Sequence, residues 1–357
     1  MKLRVWAVVP FLFACQQDKQ PDVIEGVKPV DSEPATADVK EPAPPKKSFP
    51  ECVGPIGDGE SKEITIGNQK WELNGSTLSA KSGLKKNKLV VGALTDIKED
   101  SEENLANLDV FVEHFKKAKV DLVMIAGDSG LDKSQLLGVL AKVAEVGVPV
   151  FNIAGNREGK ADYDAALKEI AEKHPNVLNL NLVRRVDTPL ADFISMPGYF
   201  NPSYIHAEDG CQYFQADVDG LDELAKASDS PVVLVSHGGP LQTGEQAIDR
   251  TAEGANVGDP MLTKAVEKNG IKFGIFGNIH EAGGRGVDLS GENLLPEKKP
   301  QESLFLNPGP ADAVAWQMND GTESLGMASI VTFNDKGRAS YVVHRIPDPD
   351  TKGLSKR

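Results

Sequence analysis

Five segments of this sequence place residues that can bind a metal ion directly after an apolar run. Carboxylate, amide and imidazole groups supply the oxygen and nitrogen donors that divalent cations require. Each apolar run is typical of a buried strand, and open α/β sheets place their sites at the carboxyl ends of such strands. We therefore predict that one metal site gathers the polar residues of these segments, which are Asp96, Asp128, Asn156, His237 and His280.

Glycine precedes three of the positions at which these segments end. Gly127, Gly155 and Gly277 stand directly before three polar residues, which are Asp128, Asn156 and Asn278. Because glycine tolerates backbone conformations that other residues avoid, it permits sharp turns that aim several strand ends at one point.

The elements that must position these residues alternate between strands and helices in the first half of the chain. Three strands and three helices between residues 89 and 174 form a run of βα units, which predicts a parallel sheet. A short meander at residues 63–80 precedes them, and the second half is richer in strands, including one predicted at Gln212–Ala216. We predict an α/β fold of four layers, α-β-β-α, in which two mixed β-sheets are flanked by helices, within one domain from residue 60 to residue 346.

The order of these strand ends resembles the calcineurin-like metallophosphoesterase family. That family reads D-x-H, G-D, G-N-H, an isolated H and G-H-x-H, and the resemblance covers the chain from Leu89 to about Phe333. One bacterial and archaeal branch adds S-H-x-P-P, a following Asp, V-G, G-H-I-H-E and N-P-G-P. The counterparts here are Ser236-His237-Gly238-Gly239-Pro240, Asp249, Val257-Gly258, Gly277-Asn278-Ile279-His280-Glu281 and Asn307-Pro308-Gly309-Pro310.

The resemblance implies two metal positions that share the carboxylate of Asp128. The first would be formed by Asp96, Lys98, Asp128 and His280. The second would be formed by Asp128, Asn156, His237 and Asn278. Arg157 stands where the family has a histidine that assists the leaving group or positions the phosphate.

Three of these positions depart from the family pattern, and we assign them to catalysis or substrate binding. A protonated lysine has no lone pair, so Lys98 cannot bind a metal, but its ammonium could neutralise Asp96 and Asp128 directly. Asn278 can offer an amide oxygen to a hard cation rather than to zinc. Arg157 keeps its proton and so cannot act as a general acid, yet it can hold a phosphate with two hydrogen bonds.

These departures leave the number of bound ions and the activity open. The expected cofactor is a divalent metal, Mn, Mg, Fe or Zn, as one ion rather than two, or none. One function is hydrolysis of a phosphomonoester or phosphodiester with a reduced metal site. The alternative is a catalytically inactive relative that binds a phosphorylated small molecule or protein, and a third is a purely structural envelope component.

The amino terminus predicts export and lipid anchoring. Residues 1–15 combine two basic residues with a short apolar run that ends at Cys15, which resembles a bacterial lipoprotein signal; a plain secretory peptide is the alternative. Residues 16–59 are predicted to be a disordered tether, because residues 16–50 contain seven Pro, seven acidic residues and five Lys. Residues 347–357 form a polar tail. We expect a protein of the bacterial cell envelope, anchored through lipid at the outer membrane.

Composition limits the partners. The net charge of −14 and the absence of a dense basic run argue against nucleic acid, which leaves a phosphorylated ligand and, through the anchor alone, the membrane. Cys52 and Cys211 remain after Cys15 is set aside. In an exported chain these two can form a disulfide, but two unpaired thiols are equally compatible with the sequence.

Overall fold

The computed structural model describes residues 49–346. The predicted signal segment with Cys15, the predicted tether up to residue 48 and the polar tail lie outside the described residues. The helices are α1 (Glu102–Ala118), α2 (Lys133–Ala144), α3 (Lys160–Lys173), α4 (Gln215–Asp219), α5 (Leu221–Lys226) and α6 (Pro260–Asn269). The strands are β1 (Ser61–Ile66), β2 (Gln69–Asn74), β3 (Thr77–Ser82), β4 (Lys88–Leu94), β5 (Leu122–Ile125), β6 (Val150–Asn152), β7 (Val177–Asn179), β8 (Arg185–Asp187), β9 (Asp192–Met196), β10 (Val232–Ser236), β11 (Phe273–Ile275), β12 (Arg285–Val287), β13 (Leu304–Asn307), β14 (Trp316–Gln317), β15 (Glu323–Ser324), β16 (Met327–Asn334) and β17 (Ala339–Arg345).

Two large mixed sheets organise these strands. One has six strands in the order β17-β16-β4-β5-β6-β7, and the other has nine in the order β1-β2-β3-β8-β9-β10-β11-β13-β12. The apolar cluster between the sheets includes Phe151, Phe273 and Phe333. A second cluster joins the six-stranded sheet to α1, α2 and α3, and a third joins the nine-stranded sheet to α5 and α6. The layers are therefore α-β-β-α, as the sequence predicts.

Strand β4 shows how the sequence builds these layers. Leu89 and Val91 point into the cluster between the sheets, whereas Val90 and Leu94 point toward the helices. This alternation follows from the two-residue period of a strand, and both faces are apolar because both faces are covered. The strand is parallel to β5, and β5 is parallel to β6, so their carboxyl ends reach the same edge of the sheet.

The predicted tether ends too late at residue 59. Phe49 and Cys52 are buried, and the Gly54 N–H donates to the Asn181 carbonyl at 2.7 Å. A disulfide joins Cys52 to Cys211, 159 residues further along the chain. Residues 49–59 are therefore attached to the domain by a covalent link and by packing.

One predicted strand is wrong. Gln212 makes only an isolated bridge with Tyr199, and α4 begins at Gln215. The Phe214 N–H donates to the Asp217 carboxylate at 2.7 Å, which starts a helix rather than a strand. Among residues 49–346, no helix is both long enough and apolar enough to span a bilayer.

Candidate metal centre

The polar residues that follow the five strands converge at one edge of the two sheets. Asp96, Asp128 and His237 are buried, and their ligand atoms all lie within 4.8 Å of one another. His280 Nε2 lies 3.2 Å from Asp96 Oδ1, and the Asn156 N–H donates to Asp128 Oδ1 at 3.0 Å. The structure thus brings together all five residues that the sequence places at the metal site.

The backbone at this centre is in a conformation that non-glycine residues rarely adopt. The φ angles are +52° at Asp96, +70° at Lys98, +56° at Asp128 and +68° at Asn278. Such left-handed residues are uncommon and concentrate at functional sites, where the surrounding structure compensates for their strain. The site residues themselves, rather than only the glycines, make the sharp turns.

The preceding glycines serve mainly to allow close approach. Gly127 has a φ of +89°, but Gly155 and Gly277 do not have positive φ. A Cβ at Gly155 would overlap Asp128 Oδ1, and one at Gly277 would overlap the hydroxyl of Thr95. The side chains of Asp128 and Thr95 therefore occupy the space that a Cβ would fill at Gly155 and Gly277.

One half of the centre has polar atoms that lack partners. We call Asp128, Asn156 and His237 the open half. Asn156 Oδ1 and His237 Nε2 are buried and have no hydrogen-bond partner among residues 49–346. Buried polar atoms are normally satisfied, so an amide oxygen and an imidazole nitrogen without hydrogen-bond partners beside a carboxylate are an arrangement suited to a divalent ion.

The orientation of His237 supports this interpretation. Its Nδ1 lies 2.8 Å from the Ala126 carbonyl, which leaves Nε2 facing Asp128 Oδ1 at 3.3 Å. A histidine that ligates a metal commonly fixes its other nitrogen in this way. Burial opposes protonation, but the negative charges of Asp128 and Asp96 outweigh it and raise the pKa of His237 to about 10. A bound cation would supply the positive charge that these carboxylates favour.

Asn278 supports Asn156 rather than presenting a free amide oxygen. Asn278 Oδ1 accepts from Asn156 Nδ2 at 3.1 Å, and Asn278 Nδ2 donates to the Tyr199 hydroxyl at 2.8 Å. Asn156 Nδ2 also donates to the Tyr204 carbonyl at 2.9 Å. These bonds fix the amide of Asn156 so that its oxygen is the atom left unpaired.

In the other half of the centre, the polar and charged groups are paired with neighbouring residues. We call Asp96, Lys98 and His280, together with Asp312 and Trp316, the closed half. Asp96 Oδ2 accepts from the Thr95 hydroxyl at 2.9 Å and from the Asn278 N–H at 3.0 Å, while Oδ1 faces His280. Burial opposes ionisation of Asp96, but the charge and hydrogen bond of His280, then His237 and Lys98, hold its pKa well below the usual range.

The direct partner of Lys98 is Asp312, which sequence reasoning missed. Lys98 Nζ lies 2.6 Å from Asp312 Oδ2, and it stands 4.3 Å from the centroid of the Trp316 ring. Asp312 Oδ1 accepts from Trp316 Nε1 at 2.9 Å, and the indole also contacts the His280 ring, with ring centroids 4.1 Å apart. The prediction that Lys98 directly neutralises Asp96 and Asp128 is therefore wrong; for Asp96 it is a more distant positive charge.

The Asn307–Pro310 turn brings Asp312 to this position. Asn307 Oδ1 accepts from the Gly309 N–H at 2.9 Å, and Gly309 has a φ of +94°. The chain then pairs with the end of β4, because the Ala311 and Asp312 N–H groups donate to the Thr95 and Asp96 carbonyls at 3.0 and 3.2 Å. The Asn307-Pro308-Gly309-Pro310 motif in the sequence indicated a turn near the site, but it did not indicate that Asp312 would enter the site.

Arg157 lies beside the open half. Its backbone N–H donates to Asp128 Oδ1 at 3.1 Å, and its Nε is buried without a partner among the described residues. A guanidinium with unused donors can bind an anionic oxygen.

Glu158 is a second residue that sequence reasoning missed. Its carboxylate accepts from the N–H groups of Ser129 at 2.5 Å and Gly155 at 2.8 Å, and so joins the loops that carry Asp128 and Asn156. Burial, followed by the charge of Asp128, raises the pKa of Glu158 to about 7.

The sequence profile of the calcineurin-like phosphoesterase family matches residues 89–282, more than half of the chain. The chain belongs to this family. Its members use divalent metals. The five candidate ligands lie within the matched segment, whereas Asp312 and Trp316 lie beyond it. No curated protein matches the chain by sequence.

Several solved structures are similar to this chain at low sequence identity. One crystal structure has a TM-score of 0.51 at 13% identity, with 72% of this chain and 99% of that chain covered. GAP50, the anchor in the inner membrane complex of Plasmodium, has a TM-score of 0.46 at 13% identity, covering 72% and 84%. A dimetal phosphatase from Danio rerio has a TM-score of 0.45 at 13% identity, covering 71% and 98%. At such identity the likeness concerns the fold alone.

Proposed function

We propose that the calcineurin-like domain of this chain binds one divalent cation in the open half and hydrolyses a phosphomonoester or phosphodiester. The observation that carries the proposal is a pair of buried atoms that make no hydrogen bond within residues 49–346, Asn156 Oδ1 and His237 Nε2, the second of which lies 3.3 Å from the Asp128 carboxylate. A carboxylate, an amide oxygen and an imidazole nitrogen suit Mn or Mg. The ion, when bound, supplies Lewis-acid activation of the phosphoryl group.

The residues of the chain would divide the remaining work. Arg157 would bind the phosphoryl oxygens through its unused donors, and Asn278 would hold Asn156 in its ligating orientation. Tyr199, buried beside His237, would limit the access of water from that side of the site. Lys98 would not contact the substrate, since Asp312 and Trp316 enclose its ammonium.

Metal content and turnover of the full-length chain test this proposal together. The protein is purified in detergent, bound metal is measured by mass spectrometry, and aryl phosphate mono- and diesters are assayed with added Mn, Mg or Zn. We expect about one ion per chain, held by the open half, and turnover that His237→Ala abolishes. His174→Ala, which changes a histidine at the end of α3, is the control and should retain both.

A second candidate is a phosphate-binding protein without catalysis. The observation that favours it is the closed half, where the Lys98–Asp312 ion pair occupies a position that a metal ligand has in the family. Bound metal without turnover above the His237→Ala background would support this candidate and reject hydrolysis. Absence of both metal and turnover would reject both the metal site and the activity.

Lipid anchoring at the cell envelope is a separate part of the proposal. It rests on the short apolar run before Cys15 and on the Pro-rich segment that follows. Growth with an alkyne-labelled fatty acid should label the wild-type chain, and Cys15→Ser should remove the label and release the protein from membranes. A labelled Cys15→Ser variant, or an unlabelled wild type, would contradict the anchor.

A further inference from the structure

A cavity of about 430 Å³ lies apart from the metal centre. It opens between β12, the edge strand of the nine-stranded sheet, and β17, the edge strand of the six-stranded sheet. Its walls include apolar side chains, such as Leu295 and Tyr341, and four charged ones, Arg285, Glu297, Asp320 and Arg345. No residue of the open or closed half lines it. Its volume is typical of a small-molecule site, about 300–1,000 Å³.

Arg285 is the unusual residue of this cavity. It is only 6% exposed and lines the cavity; its nitrogen atoms are not among the fully buried ones, and no hydrogen bond or ion pair with residues 49–346 engages them. Burial lowers its pKa, and the carboxylate of Asp320 only partly offsets this. A buried cation without a partner is strongly unfavourable, so such a group is normally paired.

Arg184 shows how the same chain accommodates a buried arginine that serves the fold. Arg184 is 1% exposed, and its guanidinium donates to the Ser195 hydroxyl, the Ser195 carbonyl and the Gly54 carbonyl at 3.2, 2.8 and 2.8 Å. Arg285 has comparable burial and none of these partners. The difference is that the donors of Arg285 face the cavity and are available to a molecule bound there.

The other charged groups of the cavity are already engaged. Arg345 lies 3.4 Å from Glu297 and donates to the Gly284 carbonyl at 2.8 Å. Glu297 also accepts from the Val343 N–H at 3.0 Å. Asp320 accepts from the N–H and hydroxyl of Thr322 at 3.0 and 2.6 Å. Arg285 is thus the charged side chain of this cavity whose hydrogen-bond donors remain available.

We propose that this cavity is a second, anion-binding site, distinct from the metal centre, for a small organic acid. The carboxylate or phosphate of the ligand pairs with Arg285, and its apolar body contacts Leu295 and Tyr341. A guanidinium binds either anion with two parallel hydrogen bonds, so the geometry fixes the charge of the ligand and the apolar wall selects an aromatic or aliphatic body.

Calorimetric titration of the full-length chain with benzoate and with phenylphosphonate tests this site. We expect both probes to bind the wild type, and Arg285→Gln to weaken binding by about tenfold or more, as for loss of a charge-assisted hydrogen bond. The probe that binds more tightly assigns the natural ligand to the carboxylate or the phosphate class. Benzyl alcohol, which lacks the charge, should not bind.

Two control variants separate this site from the metal centre. Asp128→Asn should leave benzoate binding unchanged even if it removes metal and activity, and Arg338→Gln, which changes an exposed arginine on the β16–β17 turn, should also leave it unchanged. Gln246→Glu keeps Arg285 and adds a carboxylate to the cavity wall, so it should abolish binding even if Arg285→Gln does not fold. Failure of both probes to bind the wild type, or benzoate binding that survives Gln246→Glu, would overturn the proposal.

Discussion

The two halves of the metal centre are built from equivalent strand ends, yet they satisfy their polar atoms in opposite ways. In the open half, Asn156 Oδ1 and His237 Nε2 are buried beside Asp128 and make no hydrogen bond within residues 49–346. In the closed half, Asp96 pairs with His280, and Lys98 pairs with Asp312 beneath the Trp316 ring. The first arrangement leaves two potential ligand atoms without hydrogen bonds, whereas the second contains the permanent positive charge of Lys98 and its counter-ion.

The difference shows what a buried lysine at this centre requires. An ammonium cannot coordinate a metal and is costly to bury alone, so it needs an acceptor within the same site. Asp312 supplies that acceptor, and Trp316 covers the pair. A metal ion could replace the Lys98 ammonium only if this ion pair were broken, so we place the proposed ion beside Asp128, Asn156 and His237, with Asp96 within reach.

The largest expected effect comes from breaking the ion pair. Asp312→Asn keeps the acceptor for Trp316 but leaves the Lys98 ammonium buried without a counter-charge, which should lower the free energy of unfolding by about 3–5 kcal/mol. Urea denaturation measures this. The double variant Lys98→Met with Asp312→Asn removes the charge as well and should regain most of the loss; a double variant as unstable as the single one would show that the charge is not the cause.

Replacing one histidine in each half compares the two halves directly. His237→Ala should weaken metal binding by about 100-fold or more, because it removes a ligand from the open half. His280→Ala should change affinity less than about threefold, because His280 is paired with Asp96 in the closed half. Titration with Mn measures both. Equal losses in the two variants would mean that the ion lies between the halves.

Converting the closed half into an open one should add a metal site. The triple variant Lys98→His, Asn278→His and Asp312→Asn restores the family's histidines and removes the carboxylate that would lose its partner. We expect two ions per chain instead of one and an affinity roughly tenfold higher, since two-metal sites share a bridging carboxylate. If stoichiometry and affinity both stay at the wild-type values, the assignment of Lys98 and Asn278 to ligand positions is wrong.

The smallest expected effect concerns the support of the open half. Tyr199→Phe removes the hydroxyl that accepts from Asn278 Nδ2, and Asn278 in turn orients Asn156. Loss of one such hydrogen bond should weaken metal binding by about 0.5–1.5 kcal/mol. Tyr204→Phe is the matched control, because Tyr204 contacts Asn156 through its backbone carbonyl. An equal loss in both variants would mean that the hydroxyl of Tyr199 has no orienting role.

Much of the fold follows from local patterns in the sequence. The apolar runs that become β4, β5, β10 and β13 are predicted because strands covered on both faces are apolar throughout. The short strand β12 was missed, since three residues of mixed character carry little periodic signal. The Gln212–Ala216 error arose where a helix-starting hydrogen bond to Asp217 overrode a strand-like composition.

The candidate site was predicted in part. The positions of Asp96, Asp128, Asn156, His237 and His280 follow from strand ends, because parallel strands deliver their carboxyl ends to one edge. Asp312 was missed because it is 214 residues from Lys98 and carries no motif of its own. Glu158 was missed because its role depends on two backbone N–H groups that only the folded loops bring together.

The sequence by itself determined which residue types reach the site, since each ligand position is set by its own strand and the turn that follows. Only the tertiary structure decided which of those residues are already paired, which cysteines join, and that Arg285 faces a cavity without a partner. The physical reason is that a strand end is a local property, whereas the satisfaction of a buried charge depends on every segment packed around it.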